Sequence, residues 1–312
     1  VKEIVPRWSF QRFRRTQLLW FLTIGSALVA AAVPARAATP PESAGKAPES
    51  ESAGKAPEID AGFHLLYELK FTEARARFAA WQKAYPDDPL GSASEAASYL
   101  FEEFYRQGVL TSEFFLDDKR LLGGVVAKPD EIRRAGFAAA NQRAQELARR
   151  RLKANARDAD ALFALTISTG MQADYASLIE KRQLESLRLV REAEGYAKNL
   201  IALQPDSADA YLALGAANYI IGCLPGYKRF FLWFGGIRGD KPGGMQQLQT
   251  AATRGHYLRP FAKMLLALAA LREKQVELAR AQLRELTAEF PDNSMFAREL
   301  AKLPKPAPAS SP

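Results

Sequence analysis

One spacing recurs three times along this chain and constrains its fold more than any other feature. Phe71, Ala74, Phe78, Trp81 and Tyr85 stand at steps of 3, 4, 3 and 4 and run directly into Pro86-Asp87. Val276, Ala279, Leu283, Leu286 and Phe290 repeat the steps before Pro291-Asp292, and Val190, Ala193, Ala197, Leu200 and Gln204 repeat them before Pro205-Asp206. Steps of three and four return to one face of an α-helix. Proline has no amide donor and clashes with the preceding turn, so it closes that helix. An Asp, Ser or Asn just after it can accept from the free amides that open the next one. One supersecondary unit used repeatedly predicts a helical repeat protein, a class that builds binding surfaces more often than active sites.

The same reasoning predicts helices near 60–69, 71–85, 90–107, 129–155, 158–170, 174–203, 207–222, 241–254, 257–272, 275–289 and 294–302, with no sustained period-two strand pattern. The first helix of a unit is echoed too: Ala208-Asp209-Ala210-Tyr211-Leu212-Ala213-Leu214 matches Ala159-Asp160-Ala161-Leu162-Phe163-Ala164-Leu165. Tyr211, Leu214 and Gly215, with Ala74, Phe78 and Pro86 and again Ala279, Leu283 and Pro291, stand where the tetratricopeptide repeat has its hallmark residues. Over most of 60–302 the chain resembles that family. The resemblance implies an all-α fold, an α-α superhelix or solenoid of about five degenerate helix pairs. It also implies a scaffold that binds a protein segment along the concave side formed by first helices. The intervals between unit ends are irregular, so long second helices and inserted loops interrupt a regular superhelix.

Net charge of +8 would suggest nucleic acid, but six basic residues and one acid lie within residues 1–37, leaving 37 basic and 34 acidic side chains. A domain so near neutrality has no strong field for phosphate backbones, so no nucleic-acid partner is expected. Residues 1–37 read as a signal peptide: Arg12, Arg14 and Arg15, an uncharged run from Leu18 to Val33, then Pro34-Ala35-Arg36-Ala37, with cleavage after Ala37. A retained signal anchor is the alternative. No Cys follows the run, so no lipoprotein anchor is expected. The expected location is periplasmic or otherwise extracytoplasmic, in a bacterial cell envelope. Residues 38–58, with ESAGKAPE in tandem, read as a disordered linker, and 304–312 as a disordered tail, leaving 59–303 as the repeat domain. The single cysteine, Cys223, reads as a small buried hydrophobe.

Chemistry-bearing motifs are sparse. His64 and His256 stand in no HExxH motif and beside no second ligand, and no CxxC pair or G-x-S-x-G elbow occurs. No catalytic residue, metal or cofactor is therefore expected. The stretch 223–244, CLPGYKRFFLWFGGIRGDKPGG, is the least repeat-like. Its run from Phe230 to Phe234 does not fit a single helix stripe. It reads either as a plug between repeat layers or as an exposed aromatic patch, flanked by Lys228, Arg229 and Arg238, that meets a membrane, an apolar ligand or a partner. Asp240 reads as the cap of the helix entered through Pro242. The insert 107–128 reads as a packed surface loop or as a cover over one groove mouth. Two sets of contacts follow. Phe163, Leu212, Ala216, Tyr219 and Ile220 would line an apolar groove for a protein partner in a non-catalytic envelope scaffold. In the alternative, Phe230, Phe231, Trp233 and Phe234 would meet a membrane surface or an apolar ligand.

Overall fold

A computed structural model of the chain describes residues 56–234 and 238–304. The expected signal peptide, most of the linker and the tail beyond Pro304 lie outside the described residues. The described residues are all-helical, without strands, and their helices pack against neighbours in sequence order as an all-α, solenoid-like fold. The helices are α1 (Pro57–Tyr67), α2 (Phe71–Ala84), α3 (Pro89–Gln107), α4 (Ser112–Leu116), α5 (Asp118–Gly123), α6 (Glu131–Ala154), α7 (Ala159–Asp174), α8 (Gln183–Leu203), α9 (Ala210–Cys223), α10 (Gly226–Phe234), α11 (Lys241–Arg254), α12 (Arg259–Arg272), α13 (Val276–Glu289) and α14 (Ser294–Ala301). A π-helical turn, Tyr175–Ile179, follows α7.

Five pairs form the frame: α1 with α2, α3 with α6, α7 with α8, α9 with α11, and α12 with α13, with α14 on the last pair. First helices also touch one another, α1 on α3, α3 on α7, α7 on α9 and α9 on α12. The recurrent stripe is the buried face of the second helices. Ala74, Phe78, Ala193, Ala197, Leu200, Ala279, Leu283 and Leu286 are all buried. Caps follow two turns as read: Asp88 accepts from the Leu90 amide and Asn293 from the Met295 amide. The third departs. Asp209 turns away from its own helix, and its carboxylate accepts from the amides of His256 (2.8 Å), Tyr257 (3.0 Å) and Leu258 (3.2 Å). It thereby satisfies the amides of the loop that leads into α12, one pair further along.

Four boundaries need correction. Order begins before residue 59, because Pro57 opens α1 at a position where its missing amide costs nothing and Ala56 is already buried. The stretch 174–203 is not one helix. α7 runs on to Asp174, and the chain reverses at Lys181, whose φ of 60° is left-handed. The insert is not irregular; it forms α4, capped by Thr111, and α5, capped by Asp117. The aromatic run at 230–234 is helical, within α10. A helix with an exposed face has no need of a buried stripe. At the other end, the Pro304 carbonyl accepts from the Arg280 guanidinium, so the chain stays attached to α13 that far.

The superhelix also closes on itself. The Tyr67 hydroxyl at the end of α1 donates to the Tyr257 carbonyl (2.9 Å), and the Asn293 amide donates to the Tyr67 carbonyl (2.6 Å). Both bonds are buried. Phe63 stacks on Tyr257 at 5.2 Å, and Phe101 meets Phe261 edge-on at 4.8 Å. His256 with Asp60 (2.7 Å) and Lys70 with Asp292 (2.6 Å) flank this seam. The helical domain is therefore self-contained, with its first pair joined to its last.

Candidate functional site

Two of the five residues expected to line the groove lie in the core. Leu212 and Tyr219 are buried in the core, while Phe163, Ala216 and Ile220 are half-buried. Phe163 stacks on Tyr257 at the seam. The Tyr219 hydroxyl lies 3.0 Å from Glu273 Oε1 and 3.2 Å from the Ala269 carbonyl, and the Phe115 ring lies parallel to its ring at 6.4 Å. Phe115 belongs to the insert. Arg272 donates to the Phe115 carbonyl (3.0 Å) and pairs with Asp118, the Ser112 amide donates to Glu299 (3.1 Å), and Lys302 pairs with Glu113 (2.5 Å). At the far end the Val125 amide donates to the Leu178 carbonyl (2.8 Å). The insert thus crosses from the last pair to the third and buries Phe114, Phe115, Leu121 and Val125 on the way. Leu212 and Tyr219 are corrected from groove contacts to core residues: both are buried, and the insert's Phe115 lies against Tyr219.

The insert is tied at its base by Glu103. Although 2 % exposed, its carboxylate accepts from Arg106 Nη2 (2.5 Å), Gln107 Nε2 (2.8 Å) and Arg133 Nε (3.0 Å). Arg106 goes on to donate to the Lys128 carbonyl (2.8 Å). Burial pushes the Glu103 carboxyl up, but these three donors outweigh it and bring it to about 2.

The polar groups around Tyr219 hold one another in place. Lys241 pairs with Glu273 at 2.8 Å, which lowers the Glu273 carboxyl and keeps it an acceptor for Tyr219. Burial, with Cys223 and Glu273 beside it, raises the Tyr219 phenol well above its ordinary value, so it serves as a donor. Lys241 and Glu273 also border a cleft of about 450 Å³ that Met245, Gln249, Leu266 and Leu278 help to line. A small gap between Leu66, Phe101, Phe261 and Met295 measures about 10 Å³, room for one water. Both histidines serve the seam: His256 pairs with Asp60, and His64 lies over Phe290 with Glu68 at 3.5 Å. Among the described residues no group of three or more His, Cys, Asp or Glu is placed to hold a metal.

α10 is different in kind. Tyr227 is 64 % exposed, Phe230 57 % and Trp233 51 %, while Leu232 is half-buried. Spaced three apart, the three aromatic residues share one side of the helix. The side chains of Phe231 and Phe234 lie outside the described residues. Lys228, Arg229 and Arg238 are exposed, and no acid stands between Leu224 and Gly239. Among the described residues, none of the closely packed helix pairs includes α10. Asp240 then accepts from the Gly243 amide at 3.1 Å, the cap expected for the helix that enters through Pro242. Tyr227 escaped the sequence reading, although its spacing from Phe230 and Trp233 was the signal available. No described helix is long and apolar enough to cross a membrane. No family model matches the chain, and no curated protein matches it.

Proposed function

We propose that this chain is a non-catalytic, exported scaffold of tetratricopeptide-like helix pairs that docks on an anionic membrane surface in the bacterial cell envelope through α10. One observation carries the reading: three exposed aromatic residues on one side of a helix flanked by Lys228, Arg229 and Arg238, with no acid in the segment. Aromatic rings gain by entering the interface between water and acyl chains, and basic residues beside them gain from anionic headgroups. The closed seam and the burial of Leu212 and Tyr219 weigh against a partner segment held along the first helices. The 10 Å³ gap weighs against an apolar ligand taken up at that point of the core.

The test is co-sedimentation of residues 38–312, which hold the whole closed helical domain, with vesicles of phosphatidylcholine alone or mixed with phosphatidylglycerol. Binding is expected to the mixed vesicles, to weaken with salt, and to fall about tenfold or more in Phe230→Ser/Trp233→Ser. Equal binding by this variant, with an unchanged circular dichroism spectrum, would overturn the reading. So would a wild-type protein that ignores both vesicles.

A further inference from the structure

Helix pairs stacked in sequence order divide the connections between two edges. Segments 108–130, 175–182, 224–234, 238–240 and 273–275, which lead from a first helix to its partner, lie on one edge. Segments 85–88, 155–158, 204–209 and 255–258 lie on the other. At the seam the connections 68–70 and 290–293 meet, Lys70 pairing with Asp292 (2.6 Å), and belong to neither edge. Elsewhere the contacts follow the division. On the first edge the insert reaches both Arg272 at the end of α12 and Leu178 after α7. On the second, Asp209 binds 256–258, Arg254 pairs with Asp206 (2.9 Å), and Arg150 stands 3.8 Å from Asp87.

The two edges differ in chemistry. Connections of the second edge carry Asp87, Asp88, Asp158, Asp206 and Asp209 against Arg157 alone, an acidic row faced by Arg150, Arg151 and Arg254 of the adjoining helix ends. Connections of the first edge carry nine Lys and Arg against seven acids. Exposed large apolar side chains are divided as sharply. Among the described residues there are nine, and only Tyr85, its ring 4.1 Å from Trp81, lies on the acidic edge. The others sit in or within a turn of the first edge: Tyr105, Leu116, Val126, Ile132, Leu184 and the three of α10.

Val126 (95 % exposed), Ile132 (79 %) and Leu184 (85 %) gather away from α10. Residue 125 is bonded to Leu178, the Arg182 amide to the Ala176 carbonyl (2.7 Å), and Arg134 is near enough to Glu180 to feel its charge. The acids around them are matched by arginines: Glu131 by Arg134, and Glu180 and Glu185 by Arg182.

Resting on the reading of α10 above, we propose that this whole edge faces an anionic bilayer, with α10 as one point of contact, Val126, Ile132 and Leu184 as the second, and the acidic edge turned to solvent. Two separated apolar points leave a body on a plane only rotation about the line between them, where one short helix leaves more freedom. The acidic edge offers just one exposed large apolar side chain among the described residues, Tyr85, to enter the bilayer in their place.

The experiment places an environment-sensitive nitrobenzoxadiazole label at one of three positions in residues 38–312 with Cys223→Ser. Tyr227→Cys reads α10, Leu184→Cys the second point and Asp206→Cys the acidic edge. With vesicles containing phosphatidylglycerol, emission is expected to rise about twofold or more at 227 and 184 and to stay unchanged at 206. A response at 227 alone overturns the two-point edge and leaves the α10 reading standing. A response at 206 as well overturns the orientation. No response at any position overturns both.

Discussion

Glu103 offers a sharp test of how the insert is held. Its carboxyl is brought to about 2 in the fold against an ordinary 4.5, because the donors Arg106, Gln107 and Arg133 outweigh its burial. A folded value below the unfolded one contributes stability that is fully present above pH 4.5 and is lost as pH falls toward 2. At about 1.4 kcal/mol per unit, the full window is worth about 3 kcal/mol, of which about 2 kcal/mol is gone by pH 3. Glu103→Gln keeps the shape and one acceptor but removes the titration. Urea denaturation of both proteins at pH 6 and pH 3 reads the difference. Glu113 and Glu273, whose carboxyls are also lowered, titrate in both proteins and cancel. The wild type is expected to lose about 2 kcal/mol more than the variant between the two pH values. Parallel losses would refute the reasoning, since Glu103 would then not be the ionised hub at the base of the insert.

Perturbations at three further positions probe the frame. Asp209→Ala orphans three backbone amides in the loop before α12 and is expected to cost about 3 kcal/mol or more in chemical denaturation, with Asp209→Asn milder because Oδ1 keeps the His256 and Leu258 bonds. Gly244→Ala would set a methyl 2.6 Å from the Tyr219 amide nitrogen and 2.9 Å from the Gly215 carbonyl, forcing α9 and α11 apart at a cost of about 2 kcal/mol. Gly195→Ala, with open space around it, is expected to be stabilising by about 0.5 kcal/mol or more in the same assay.

The second helices were legible because their signal is local. A stripe such as Ala279, Leu283 and Leu286 must be buried wherever its helix goes, and the Pro-Asp steps end and restart the helices without help from the rest of the chain. The aromatic segment was legible as an anomaly, and its alternatives stayed open for a physical reason. Phe115 and Phe230 carry the same side chain in similar apolar runs. Phe115 is buried because Tyr219 and the α12 end lie beneath it, whereas Phe230 is exposed on a helix along which no described helix packs closely.

Sequence alone thus determined the all-α class, the helix ends at the Pro-Asp steps and the segment that departs from the repeat, since each follows from patterns a few residues apart. Tertiary structure decided what depends on distant partners. It joined Tyr67 to Tyr257 and Asn293 and sent the 108–130 insert across the first helices. It gave Asp209 the amides of another pair and gathered the exposed apolar side chains on one edge. Hydrophobic burial carries no direction along a sequence. Which apolar residues face inward is settled only when the helices that could cover them have taken their places.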